Sequence, residues 1–177
     1  VNKVETFANV CAIIRKGPEW FRSIGTAASP GTKIFSLASK VDKVGLIEVP
    51  MGLPLREIIY TLGGGCRNGK AFKAVQTGGP SGGCLKAEKL DTPIEYDSLW
   101  ALGSMMGSGG MIVMDEDDCV VDLARFYLGF CVDESCGKCA PCRIGGKQML
   151  NILDKIVEGK GDERDLTRLK SAAMAMQ

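Results

Sequence analysis

Three cysteines in the last third of the chain have the residue type and the spacing to hold an iron–sulfur cluster. Cys136, Cys139 and Cys142 follow a C-x2-C-x2-C pattern in a sequence that contains no histidine. This spacing lets three sulfurs converge on one small cluster and is a recurring way of binding iron–sulfur centres. Without imidazole, a transition-metal site here depends mainly on thiolate, which favours iron–sulfur or zinc. The pattern predicts one-electron transfer through an iron–sulfur centre.

The same run of thiols has two other interpretations, a zinc site and a C-x-x-C redox pair. Zinc sites usually take two separated pairs of thiolates, whereas this chain has one closely spaced group. A thioredoxin-like pair needs a βαβ context, and this run lies between predicted helices. A ferredoxin would place a fourth cysteine where Gly146 stands. A four-iron cluster therefore needs a ligand from upstream or from beyond Gln177.

Residues around the cysteines favour negative charge at this place. Pro141 and Cys142 are placed to open a helix, whose N-terminal amides attract anions. Lys138, Arg143 and Lys147 add positive charge. Both effects would raise the reduction potential of a bound cluster.

The remaining cysteines are expected to be packing residues. Cys11, Cys119 and Cys131 lie on or beside apolar helix faces, where a free thiol behaves as a small apolar side chain. Cys66 and Cys84 follow glycine-rich turns. Either is a candidate for the fourth ligand, but ordinary packing is the preferred interpretation.

A small α+β domain precedes the cysteine run. The predicted strands, from runs of β-forming residues bounded by turns, are residues 33–41, 44–49, 72–76 and 111–114. A helix begins at Pro54, which suits a first helical position. Its apolar stripe consists of Leu55, Ile58, Ile59 and Leu62. Hairpin, helix and strand favour a β-grasp-like domain of the soluble-ligand-binding type.

Helical patterns dominate the two ends of the chain. Apolar spacing predicts a helix over residues 5–16 and three more after Asp117, the last one capped by Asp162. Three helices with short links form a bundle, so the fold class is α+β with an α-helical bundle that carries the cluster. The predicted divisions are 1–30, 31–114 (the β-grasp-like domain with its glycine-rich loops) and 115–177.

Composition and charge exclude several classes of function. The net charge is +1, so nothing favours nucleic acid or an anionic membrane as a partner. No stretch is long and apolar enough to insert into a membrane, and no signal peptide is recognisable. Unevenly spaced cysteines in a chain of this length favour metal ligands or buried thiols in a reducing cytoplasm. The start at Val1 rather than methionine indicates a piece of a longer protein or processing.

A series of motifs runs along the chain in a fixed order. Its segments are Val1–Thr6, Gly31–Lys33, Glu48–Gly52, Gly63–Gly65, Ala74–Cys84, Gly103–Met111 and Glu134–Arg143. These segments resemble the flavin- and NADH-binding subunit of respiratory complex I. They also resemble the related diaphorase subunits of NAD(P)-linked hydrogenases and formate dehydrogenases.

The resemblance implies a full subunit with a Rossmann-like flavin domain, a β-grasp-like domain and a helical bundle with a [4Fe-4S] cluster. Residues 1–30 would be the tail of the flavin domain and a linking helix, and 115–177 a truncated bundle. FMN and NAD(H) would be bound mainly by the missing N-terminal domain. Asn2 and Thr6 match family positions that contact FMN. The glycine-rich segments are either tight turns or places of close approach to the flavin or cluster.

The implied function is the electron-transfer part of an NAD(P)H dehydrogenase or diaphorase subunit. Single electrons would pass from FMN through the cluster on Cys136, Cys139 and Cys142 to ferredoxin-like redox subunits. Without the hydride-transfer site this chain is not expected to oxidise NADH by itself. The alternative is a non-catalytic module, either zinc-stapled or partner-docking, and the bound metal separates the two.

Overall fold

The computed structural model describes residues 2–176, so Val1 and Gln177 lie outside the described residues. The first part of the chain forms a five-stranded mixed sheet. The strands are β1 (Thr32–Ser39), β2 (Gly45–Pro50), β3 (Phe72–Thr77), β4 (Gly83–Lys86) and β5 (Gly110–Asp115). Their order is β2-β1-β5-β3-β4, with β1 and β5 parallel at the centre and antiparallel pairs on either side. This is a β-grasp-like arrangement, and the predicted α+β class is confirmed.

Strand β1 shows how the sequence selects the core face of the sheet. Phe35 and Leu37 are buried, whereas Ile34 before them and Ser36 between them are exposed. Successive side chains of a strand point to opposite faces, so this alternation places every second residue in the core. Lys33 shares the buried face and is only 7% exposed.

The helix predicted from Pro54 is present, but most of it is wider than an α-helix. Residues Glu57–Leu62 form a π-helix, and the amide of Gly63 donates to the carbonyl of Ile58 at 2.9 Å. Leu62 is 40% exposed, so the prediction that it completes the apolar stripe was wrong. Residues at i and i+4 share a face of an α-helix, but an i→i+5 turn rotates Leu62 away from that face.

One hydrophobic cluster joins the sheet to the π-helix and to a short helix, α3 (Tyr96–Ala101). Its fully buried members include Phe35, Leu37, Leu55, Ile58, Ile59, Val75, Leu99 and Met111. This cluster fills the core of the first of two compact units, Val1–Asp118 and Cys119–Gln177. The predicted division into three parts stays a prediction.

Helices occupy both ends of the chain. They are α1 (Val4–Lys16), α2 (Pro18–Arg22), α3 (Tyr96–Ala101), α4 (Val120–Asp133), α5 (Gly146–Val157) and α6 (Glu163–Met174). Asp162 accepts hydrogen bonds from the amides of Arg164 and Asp165, and the Asp165 side chain accepts from the Asp162 amide. This capping box confirms the predicted cap of the last helix. Within residues 2–176, each helix is too short or too polar to cross a membrane.

Candidate metal centre

The three predicted cysteine ligands lie on one exposed segment between α4 and α5. Cys136 and Cys139 are in the irregular stretch after α4, and Cys142 is in a second π-helix, Pro141–Gly145. All three thiols are exposed and free. The helical stretch carries proline in its first turn, as predicted for a helix that opens beside Cys142.

The structure places these thiols on one segment without grouping them as a ligand set. Among residues 2–176, no three cysteine, aspartate or glutamate side chains are arranged to hold a metal ion. The donor chemistry nevertheless fits an iron–sulfur cluster, because three soft thiols are free of disulfides and open to solvent. The assignment of Cys136, Cys139 and Cys142 as ligands stays a prediction.

Hydrogen bonds close the cysteine segment into a loop. Ser135 Oγ lies 3.1 Å from Cys142 Sγ and accepts from the Gly137 amide at 3.2 Å. Arg143 donates twice into the loop, from its amide to the carbonyl of Cys139 at 2.9 Å and from its guanidinium to the carbonyl of Gly137 at 3.0 Å. Gly137 adopts φ 66°, a turn conformation that favours glycine. The cysteine spacing gave no indication of the serine contact.

Only part of the prediction for the remaining cysteines is confirmed. Cys66 is 8% exposed, and burial raises the pKa of its thiol. Cys11, Cys119, Cys131 and Cys84 are exposed, so the prediction that they are packing residues was wrong. For the helical positions the reason is local, because neither α1 nor α4 buries any residue fully.

The glycine-rich loops approach protein backbone closely. A Cβ atom added to Gly82 would lie 1.7 Å from the carbonyl oxygen of Thr77, and one added to Gly83 would lie 2.5 Å from that of Gly103. Both separations are well below van der Waals contact. Gly82 is therefore required by the tight turn from β3 to β4, and Gly83 by the close approach of the backbone at Gly103.

The predicted FMN contacts lie at the start of the chain. Asn2 precedes α1 and Thr6 is in its first turns, and both are exposed. Thr6 lines a cavity of about 280 Å³ together with Lys33. Their assignment as flavin contacts stays a prediction.

An ion pair that the sequence did not indicate anchors α1 to the sheet beside this cavity. The Glu5 carboxylate accepts from the Ile34 amide at 2.7 Å and forms an ion pair with buried Lys33. A buried ammonium needs such a partner, because an unpaired charge in the protein interior costs several kcal/mol. This pair fixes the first turn of α1, and with it Thr6, against β1.

Comparisons with known proteins find similar sequences among the subunits of redox enzymes. Residues 122–177 match the family described as the NADH-ubiquinone oxidoreductase-F iron-sulfur binding region. The chain is 64% identical over 171 residues to the NADP-reducing hydrogenase subunit HndC of Solidesulfovibrio fructosivorans. It is 43% identical over 170 residues to a subunit of the NADH-quinone oxidoreductase of Rhizobium meliloti (strain 1021).

A solved structure agrees with these relatives. The crystal structure of an NAD+-reducing [NiFe]-hydrogenase in the air-oxidized state superposes with a TM-score of 0.86 and 34% identity, covering 99% of this chain and 30% of that one. The two curated relatives are covered over 35% and 40% of their length, and over 97% and 96% of this chain. The predicted resemblance is thus confirmed for a segment of such subunits.

Proposed function

We propose that this chain, a homologue of subunits of NADH-quinone oxidoreductases and of an NADP-reducing hydrogenase, is the electron-transfer part of an NAD(P)H-linked oxidoreductase subunit. FMN is the electron donor and a ferredoxin-like redox subunit is the acceptor. One observation carries the proposal. Three free, exposed cysteines share a loop inside the segment that matches an iron–sulfur binding region.

Cys136, Cys139 and Cys142 would hold a [4Fe-4S] cluster through their sulfurs. When bound, the cluster supplies one-electron transfer. The role of the chain is to bind it, orient it and set its electrostatic surroundings. The Arg143 guanidinium donates to the Gly137 carbonyl inside the cysteine loop, and its positive charge favours the added electron.

The remaining cofactors and the location belong to the same proposal. Asn2 and Thr6 contact FMN, most of FMN and NAD(H) is bound by other parts of the subunit, and NAD(P)H reacts there. The similarity of the chain to subunits of quinone-linked and hydrogenase enzymes supports this division of roles. All eight cysteines are free thiols, which supports a reducing compartment, the cytoplasm.

The test is low-temperature EPR on the native protein, purified anaerobically from cells and reduced with dithionite, with iron and sulfide counted on the same sample. We expect a fast-relaxing spin-half signal and about four irons and four sulfides per chain. Cys142→Ser should lose this signal. Cys131→Ser, an exposed cysteine of the same unit, is the matched control and should keep it. Stoichiometric zinc without sulfide in the native protein would overturn the proposal.

A further inference from the structure

We propose that Ser135 is a positioning residue that donates a hydrogen bond to the sulfur of Cys142 and raises the reduction potential of the cluster held there. The inference rests on the proposed function, because it concerns the same cluster. It adds a residue that is not a ligand and that the cysteine pattern does not include.

Backbone contacts fix Ser135 in place before any ligand binds. Its amide donates to the carbonyl of Val132 at 3.4 Å, which ties the residue to the last turn of α4. Its hydroxyl oxygen then lies 3.2 Å from the Gly137 amide nitrogen and 3.1 Å from Cys142 Sγ. The serine thus bridges the end of one helix, the turn and the third cysteine.

The direction of the hydrogen bond to sulfur follows from the other contact. A hydroxyl has one hydrogen to donate and two lone pairs that accept. The Gly137 amide can only donate, so it uses one lone pair of Ser135 Oγ and leaves the hydroxyl hydrogen free for Cys142. A cysteine sulfur bound to iron carries no proton and can only accept. In the loaded protein, Ser135 must therefore be the donor.

A donor at the sulfur acts on the potential because reduction adds negative charge to the cluster and its thiolates. Hydrogen bonds to the sulfurs stabilise that charge and are one of the means by which proteins tune iron–sulfur potentials. Among residues 2–176, Ser135 is the one side chain that hydrogen-bonds to any of the three thiols. Its effect falls on the Cys142 corner of the site alone.

The loop also explains why the contact persists. Arg143 donates to the carbonyls of Cys139 and Gly137. These two hydrogen bonds hold the backbone between Ser135 and Cys142 against the start of the π-helix. The guanidinium supplies charge as well as closure. Ser135 carries no charge, so removal of its hydroxyl tests the hydrogen bond without also removing a charge from the loop.

The experiment is an EPR-monitored redox titration of the native protein and of Ser135→Ala, with iron and sulfide counted for each. At the midpoint potential of the wild type, we expect the oxidised-to-reduced ratio in Ser135→Ala to rise about threefold to tenfold, the worth of one hydrogen bond. Ser135→Thr keeps the hydroxyl and should titrate like the wild type. Ser171→Ala, an exposed serine of α6, is the matched control and should not shift.

A second pair of variants covers the case in which Ser135→Ala loses its iron. Ser135→Thr and Ser135→Val have nearly the same shape and differ in the hydroxyl, so the valine variant should titrate at the lower potential. The inference would be overturned if the wild type and Ser135→Ala had equal midpoint potentials, and Ser135→Thr and Ser135→Val did too, all at full iron content. The cluster itself would remain in place. A native protein without iron would instead overturn the proposed function, and this inference with it.

Discussion

The two compact units differ in how much apolar surface they bury. In the first unit, whole side chains from the sheet, the π-helix and α3 are removed from solvent in one cluster. In the described part of the second unit, the buried apolar side chains are Met149 at 8% and Leu153 at 6% exposure, whereas Phe126 is 66% exposed. The first unit has a complete core, and the second has a thin one.

This difference indicates where the stability of each unit comes from. Burial of apolar surface is the main favourable term in folding, and the first unit buries many whole apolar side chains. Small units with thin cores usually need a disulfide, a metal or a partner to stay folded. In the described part of the second unit every cysteine is a free thiol, and this unit contains the cysteine loop. We therefore expect a bound cluster to supply folding free energy as well as electron transfer.

Removal of the iron should have the largest effect and should affect one unit. After chelation of the native protein, amides of α4 and α5 should exchange with deuterium about a hundredfold faster or more, because bound metal contributes many kcal/mol to folding of small domains. Amides of β1 and β5 should be unchanged and serve as the internal control. Equal protection of α4 and α5 with and without iron would show that the thin core is sufficient.

A matched pair of truncations measures the two cores directly. Ile59 is fully buried, so Ile59→Ala should lower the free energy of unfolding of the first unit by about 2–5 kcal/mol. Phe126→Ala should cost about 0.5 kcal/mol or less, because most of this side chain is already in water. Urea unfolding followed by amide exchange assigns each loss to its unit. A larger cost at Phe126 than at Ile59 would reverse the comparison.

A smaller effect is expected where the first unit packs backbone against backbone. Gly82→Ala should cost about 1–3 kcal/mol, since the new methyl group meets the carbonyl of Thr77. Gly110→Ala is the control, because a Cβ atom there meets nothing within 4 Å. Thermal unfolding of the two variants compares them. Similar melting temperatures for both would mean that the loop yields easily.

The smallest expected effect depends on pH and concerns the second unit. The hydrogen bond from Lys155 lowers the pKa of Asp165. The pKa of Asp165 is therefore lower in the folded than in the unfolded state. At pH values above about 3.9, the ordinary pKa of an aspartate, the ionised carboxylate stabilises the fold. That stabilisation is lost as the pH falls through the lower folded value. Asp165→Asn should therefore melt earlier than the wild type at pH 7.

Melting curves at neutral and acidic pH provide the measurement. The gap between Asp165→Asn and the wild type should close as the pH falls below the lowered pKa of folded Asp165, where both side chains are uncharged. Asp133→Asn, an exposed carboxylate at the end of α4, is the control and should show little difference at either pH. A gap that persists in acid would assign the effect to the shape of the capping box and not to charge.

The sequence predicts most of the sheet, and its failures have local causes. Four strands were found from alternation and turn residues, at positions within a residue or two of β1, β2, β3 and β5. Strand β4 was missed because four residues, Gly83–Lys86, lie among glycine-rich turns and show too little alternation. The π-helix was not predicted, because apolar spacing does not reveal a shift of one residue in the hydrogen bonding.

The candidate site also has a part that the sequence predicts and a part that it does not. The spacing of Cys136, Cys139 and Cys142 predicts that they share one segment, which they do. The contact between Ser135 and Cys142 depends on how the loop closes, and no pattern of residue types encodes that closure. The exposure of Cys11 was also beyond prediction, because an apolar helix face does not show whether another element covers it.

The parallel pair at the centre of the sheet determines how early the sheet can form while the chain is being synthesised. Ser36 of β1 pairs with Gly110 of β5, so the two middle strands come from opposite ends of the first unit. During synthesis, β1 leaves the ribosome long before its parallel neighbour and must wait with one edge unpaired. Such distant pairings form slowly, and an open strand edge can join another chain. The helices beside the cysteine loop, α4 and α5, contact each other and are close in sequence. Their packing therefore does not have to wait for a distant part of the chain.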